Sequence, residues 1–284
     1  MNNKAPWAPV VMTSNDAAIV SKYYHESFAY RVLLSDAEAV LTALPPGDLW
    51  VDPGFDAFPR NARFQQRVAE QQRDEEAKKY PNRWYKCMKD LPAFALLMDD
   101  NALARGANES LSKREKKDLQ ETVTCVLDMC KHLDPDRITV PQVAQGDGAA
   151  HNCVNKTLAG LTGEWARRNG FRGLVYPLIF TKAGQTQGKT FWKKKLDTAL
   201  RYCSEAHASS LWVVDASLDE EKAAGSLQDY RFPQLIALHE YLKNACGTIT
   251  IMAGPYWGFN ILLWARGLVD QQLIAVGSGF RYYL

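Results

Sequence analysis

Two carboxylates stand where apolar runs end. Asp52 closes LWV within VDPGFDAF (51–58), and Asp215 closes LWVV within VVDAS (213–217). A carboxylate at the end of a buried strand can serve as general base, nucleophile or metal ligand. Gly54 permits a tight turn after Asp52, so that a flat ligand could approach the backbone beside Phe55. The competing role for Asp52 is to cap a helix starting near Pro59, and Asp56 is a lesser candidate of the same kind. For Asp215 the competing role is a cap or a loop hydrogen bond.

Three further segments carry groups suited to recognition. In VAQGDGAAH (143–151), Gln145 offers both a donor and an acceptor, as reading a base edge requires. Gly146 and Gly148 free that loop, Asp147 is placed to cap the helix that follows, and His151 reads as a helix-surface residue. In TKAGQTQGKTFWKKKL (181–196), Lys189, Trp192, Lys193, Lys194 and Lys195 interleave cations with Phe191 and Trp192. That pattern suits a phosphate backbone with a stacked base, and equally a solvated helix start. It is not a phosphate-binding P-loop, because Gly184 and Gly188 lie one residue too close. Tyr256 and Trp257 sit at a strand–helix junction where an aromatic could cover a ligand. Ile261, Leu262 and Trp264 beyond them read as core.

The elements that must position these groups alternate. Short, almost continuously apolar runs occur at 9–14, 48–54, 138–146, 173–181, 210–217, 248–254 and 272–279. Strands buried on both faces look like this, which points to a parallel sheet covered by helices. Helical patterns lie between them at 112–133, 189–206, 228–244 and 257–268. Ser112 and Glu115 have capping-box spacing, and Leu119, Val123, Val126, Leu127 and Cys130 form one apolar stripe. The expectation is a TIM-like α/β barrel over residues 1–284 as a single domain. YRVLL (30–34) is its eighth strand, or else the barrel is irregular or incomplete. An open doubly wound sheet is the alternative. Residues 60–110 break the rhythm and read as an insertion over the barrel mouth, a lid or partner surface.

Composition bounds the function. The chain has 284 residues, 46% of them hydrophobic and 23% charged, enough for a sizeable core. Net charge is +2, so nucleic-acid binding would have to come from a local patch. Cys87, Cys125, Cys130, Cys153, Cys203 and Cys246 form no C-x-x-C pair and no zinc-finger spacing, and read as buried free thiols of a reducing cytosol. No leader pattern and no membrane-length apolar run is present, so a cytoplasmic protein without membrane partners is expected. No cofactor motif is legible, and no cofactor is expected.

Several motifs together resemble the tRNA-guanine transglycosylase superfamily, including its DNA-modifying deazaguanine relatives. APVVMTSNDAAIV is similar to that family's opening strand, LWVDPGFDAF to its D-S-G-G-F-Q strand end, and VAQGDG to its V-Q-G-G. AGPYWGFNILLWARGLVD resembles its penultimate strand and following helix. The matches come in the family's order and span most of the chain, and each is short and degenerate. The resemblance implies a TIM barrel that exchanges a base by breaking a glycosidic bond. Asp52 would be the acid/base or base-recognising carboxylate, and Gln145 and Gly146 would bind the base. Three departures stand out. Ala275 falls where the nucleophilic Asp of the last strand is expected, Pro53 replaces the Ser of D-S-G-G-F, and the Cys/Cys/Cys/His zinc set is missing.

These residues lead to a barrel enzyme directed at a nucleobase or nucleic acid, tRNA or DNA, with Asp52 and Asp215 as paired carboxylates. Substrate would be held by Gly54, Phe55, Gln145, Gly146, Asp147, Tyr256 and Trp257. The alternative is a non-catalytic barrel that binds nucleotide or nucleic acid as a homo-oligomer or as a subunit of a larger assembly. A third is metal-dependent hydrolysis on Asp52, Asp147, Asp215 and His151.

Overall fold

In the computed structural model the described residues are 7–11, 14–23, 29–58, 83–143, 152–180, 189–215, 232–256 and 259–275. The seven apolar runs all form strands. They are β1 (Trp7–Val11), β3 (Asp48–Asp52), β4 (Arg137–Thr139), β5 (Leu174–Phe180), β6 (Ser210–Asp215), β7 (Thr250–Ala253) and β8 (Gln271–Ala275). YRVLL supplies β2 (Ala29–Leu33), which lies between β1 and β3. Every pairing is parallel and follows chain order, and β8 pairs back onto β1 from Trp7↔Gln272 to Val10↔Ala275, which closes the ring.

Strand alternation separates an apolar core inside the ring from those outside it. Inside the ring, Ala8, Ala29, Trp50, Val175, Ile179, Trp212, Val214, Met252 and Leu273 form one cluster. The opposite faces, such as Val51, Ile138, Leu178 and Val213, join a larger cluster with the surrounding helices. After the first two strands come α1 (Ser14–Tyr23) and α2 (Ala37–Val40), whose Ala17, Val20, Ala37 and Val40 form a third cluster with Tyr30 and Val32 of β2. Later come α6 (Lys113–Lys131), α7 (Cys153–Asn169), α8 (Lys189–Glu205), α9 (Phe232–Ala245) and α10 (Phe259–Ala265). The Ser112–Glu115 capping box forms, and the whole predicted stripe of α6 is buried.

The break in the rhythm is partly described. Residues 59–82 lie outside the described residues, but α3 (Arg83–Met88), α4 (Phe94–Met98) and α5 (Asp100–Ala104) follow. They pack into the helix-facing core through Trp84, Met88, Leu97 and Leu103.

Two local expectations are corrected. Ile261, Leu262 and Trp264 are 44%, 56% and 40% exposed, because the seven-residue α10 turns Asn260 and Leu263 inward instead. Cys125 is exposed on α6, while Cys130, Cys153, Cys203 and Cys246 are buried. Asn152 caps α7, its side chain accepting from the Asn155 N–H, and Asp147 lies outside the described residues.

Candidate functional site

Parallel strands place all their C-terminal ends on one rim. Asp52 is the last residue of β3, Asp215 the last of β6, Ser14 opens α1 just after β1, and Gly254 directly follows β7. Gln145, Gly146, Asp147, Gly148, His151 and Trp257 lie outside the described residues. Lys189, Trp192, Lys193, Lys194 and Lys195 occupy the opening turns of α8, and their side chains, like that of Asp215, are outside the described ones.

Asp52 is 1% exposed and is the best-defined group on the rim. Its Oδ2 accepts from both Arg31 Nε (2.9 Å) and an Arg31 terminal nitrogen, and its Oδ1 accepts from the Gly54 N–H at 2.8 Å. Three of a carboxylate's roughly four acceptor sites are thereby engaged. Arg31 is itself 4% exposed, and its guanidinium lies 4.4 Å over the Trp212 ring and 5.8 Å from that of Trp50. The two indoles meet edge to face at 5.4 Å, and their N–H groups donate to Thr139 Oγ1 (Trp50) and to the Gly254 carbonyl just after β7 (Trp212), each at 2.9 Å.

Gly54 is in the left-handed region (φ +72°), a conformation a β-carbon disfavours. The turn it makes carries Asp52's third hydrogen bond. Trp84 of α3 donates its indole N–H to the Gly54 carbonyl at 2.9 Å and packs against Phe58, so the segment after 83 is fastened to this turn.

Phe55, Asp56, Thr139, Gln142, Ile179 and Trp212, among others, close around Asp52 in a narrow crevice with no room for a water molecule in this structure. Gln142 is 3% exposed, and its Oε1 is a buried acceptor with no hydrogen-bond partner among the described residues. A buried acceptor without a donor is costly, so it marks where a donor is wanted. Among the described residues, no other one with such an orphaned side-chain atom lines this crevice. Phe55 lines this crevice, and Gly54 forms the turn before it without lining it. Tyr256 does not line the crevice: it is buried in the helix-facing core, edge-on to His239, with its hydroxyl donating to the Val213 carbonyl at 2.8 Å.

Arg31, Gln142 and Trp212 are the residues that sequence reasoning missed. Gln142 had a signal: Pro141 lacks the N–H a central strand needs. The ladder accordingly ends at Thr139, and the rim begins several residues before Gln145. Arg31 had none, since an arginine within YRVLL reads as a solvent-facing position.

Other chemistry is sparse. Among the described residues, no group of three or more His, Cys, Asp and Glu side chains could hold a metal ion. Burial pushes the Cys203 thiol up to about 12 and the Cys246 thiol up to about 11, leaving both as protonated, inert thiols. No helix of the described residues is long and apolar enough to cross a membrane. No known family model matches the chain, and no curated protein matches it.

Proposed function

We propose that the chain is a TIM-like barrel that acts on a nucleobase at its C-terminal rim, by transglycosylase-like base exchange or glycosidic-bond cleavage on tRNA or DNA. The observation that carries this is the set of groups gathered around Asp52, not a preformed cavity. An aromatic wall (Trp212, Phe55), a fixed carboxylate (Asp52) and a buried acceptor in want of a donor (Gln142 Oε1) suit a flat ring with N–H groups on its edge. The motif resemblance points the same way. Held by Arg31 and Gly54, Asp52 offers its remaining acceptor direction to such an edge. Asp215 is the second carboxylate, the one to attack the sugar carbon in place of the family's last-strand Asp. Gln145, Gly146 and Asp147 follow β4 in chain order and would close over the base, and the Lys189–Lys195 turn would carry the phosphates.

A second reading is a non-catalytic barrel that binds a nucleotide or nucleic acid as part of an assembly. The full engagement of Asp52 Oδ2 by Arg31 favours it, because a general base needs a free acceptor at the reacting proton.

Incorporation or release of labelled base with tRNA and DNA substrates separates the two. If the wild type exchanges base, Asp52→Asn should lower the rate about 10²-fold or more, the usual scale for a positioned carboxylate. The variant strands the Arg31 charge, so it is assayed below its own melting temperature. Full activity in Asp52→Asn would refute a chemical role. A wild type inactive on both nucleic acids leaves the binding module.

A further inference from the structure

The interior of a parallel barrel is normally filled by branched apolar side chains. Here the ring holds a guanidinium–carboxylate pair, Arg31 with Asp52, each at most 4% exposed. Taking two charges out of water is expensive, and an apolar pair of similar volume is often as stable or more so. Stability alone therefore does not explain the pair. Its position does: Asp52 is a wall of the crevice, while Arg31 lies behind it and is not.

We infer that Arg31 is the positioning residue of Asp52, and that Trp84 extends the same unit into the segment after 83. The inference rests on the proposed role of Asp52. Arg31 fixes Oδ2 through two donors of one planar fork, and Trp212 fixes the fork's plane from its face. Gly54 N–H fixes Oδ1, and Trp84 fixes Gly54 through its carbonyl. The carboxylate is thus held from two sides, by Arg31 behind it and by the Gly54 turn, neither of which lines the crevice. Lysine cannot replace Arg31 in this role, because an ammonium is a point charge without the fork or the flat face.

Three measurements on the full chain test this. In the base-exchange assay, Arg31→Lys should lower kcat about 10-fold or more while KM changes less than about 3-fold, the signature of a misplaced group rather than lost binding. In ¹H–¹⁵N spectra, Arg31→Lys should shift the indole N–H signals of Trp84 and Trp212. The signal of Trp165, whose N–H donates to Asp128, should stay in place. The double variant Arg31→Met with Asp52→Leu should melt at or above the wild-type temperature while losing exchange. An unmoved Trp84 signal in Arg31→Lys would overturn the coupling. A double variant that melts well below wild type would show the pair to be a fold element instead. If the wild type exchanges no base, the proposed function fails by itself, and the spectra and melts still decide whether Arg31 positions Asp52.

Discussion

At the scale of single residues, one turn carries much of the site. Gly54 combines a left-handed backbone with close neighbours: a β-carbon there would lie 3.3 Å from Cδ1 and Nε1 of Trp84. Gly54→Ala should therefore cost about 1–3 kcal/mol from backbone strain alone. It should also disturb the Trp84 hydrogen bond to Gly54 and, through it, Asp52. Urea melts give the stability, and the Trp84 indole signal reports the contact. A neutral substitution would mean that the turn relaxes freely. Asp52 was legible because an apolar run ending in Asp, Pro and Gly can hardly be anything but a strand end and a turn. Its partner was not, because Arg31 lies on another strand, 21 residues earlier, and only the parallel pairing of β2 with β3 brings the two together.

At the scale of elements, the seven apolar runs and the α6 stripe were legible because burial on both faces leaves almost no polar residues in a strand, and one buried face leaves a 3.6-residue period in a helix. The ends of elements were less so. The run at 138–146 continues apolar beyond the three-residue strand β4, so the sequence alone moved the rim to Gln145 and past Gln142. The short α10 misled for a related reason: in seven residues the period is hardly expressed, and Ile261, Leu262 and Trp264 look like core by composition although they face outward. The opening turns of α8 make a separate claim. If their lysines carry phosphates, Lys193→Glu with Lys194→Glu should weaken binding of a labelled oligonucleotide and flatten its salt dependence by roughly two phosphate contacts. Fluorescence anisotropy across a salt series reads this directly. An unchanged slope would make the lysines a solvated face.

At the scale of the whole molecule, the helix-facing core binds the outer layer to the ring, and it contains a titratable reporter. His239 of α9 is buried, with Nδ1 2.8 Å from the Leu235 carbonyl oxygen, and burial pulls its pKa from 6.5 down to about 4. Above pH 6.5 both the folded and unfolded chains carry the neutral ring, and this group adds no pH dependence. Between 6.5 and about 4 the unfolded chain takes up a proton that the folded chain refuses, so stability falls as pH drops. Below about 4 both are protonated and the loss levels off. A gap of that size is worth on the order of 3 kcal/mol. Urea melts at pH 7 and pH 4.5 should show the decline in the wild type and less of it in His239→Leu. Equal slopes in the two proteins would place the acid sensitivity elsewhere.

The crevice itself offers the most direct test of a nucleobase site. Isothermal titration of free nucleobases into the wild type and into Gln142→Leu asks whether the buried Oε1 awaits a ligand. Removing an unsatisfied acceptor should leave the melting temperature unchanged or raised, while base affinity falls about 10-fold or more. No base bound by the wild type, or the same affinity in both proteins, would contradict the site.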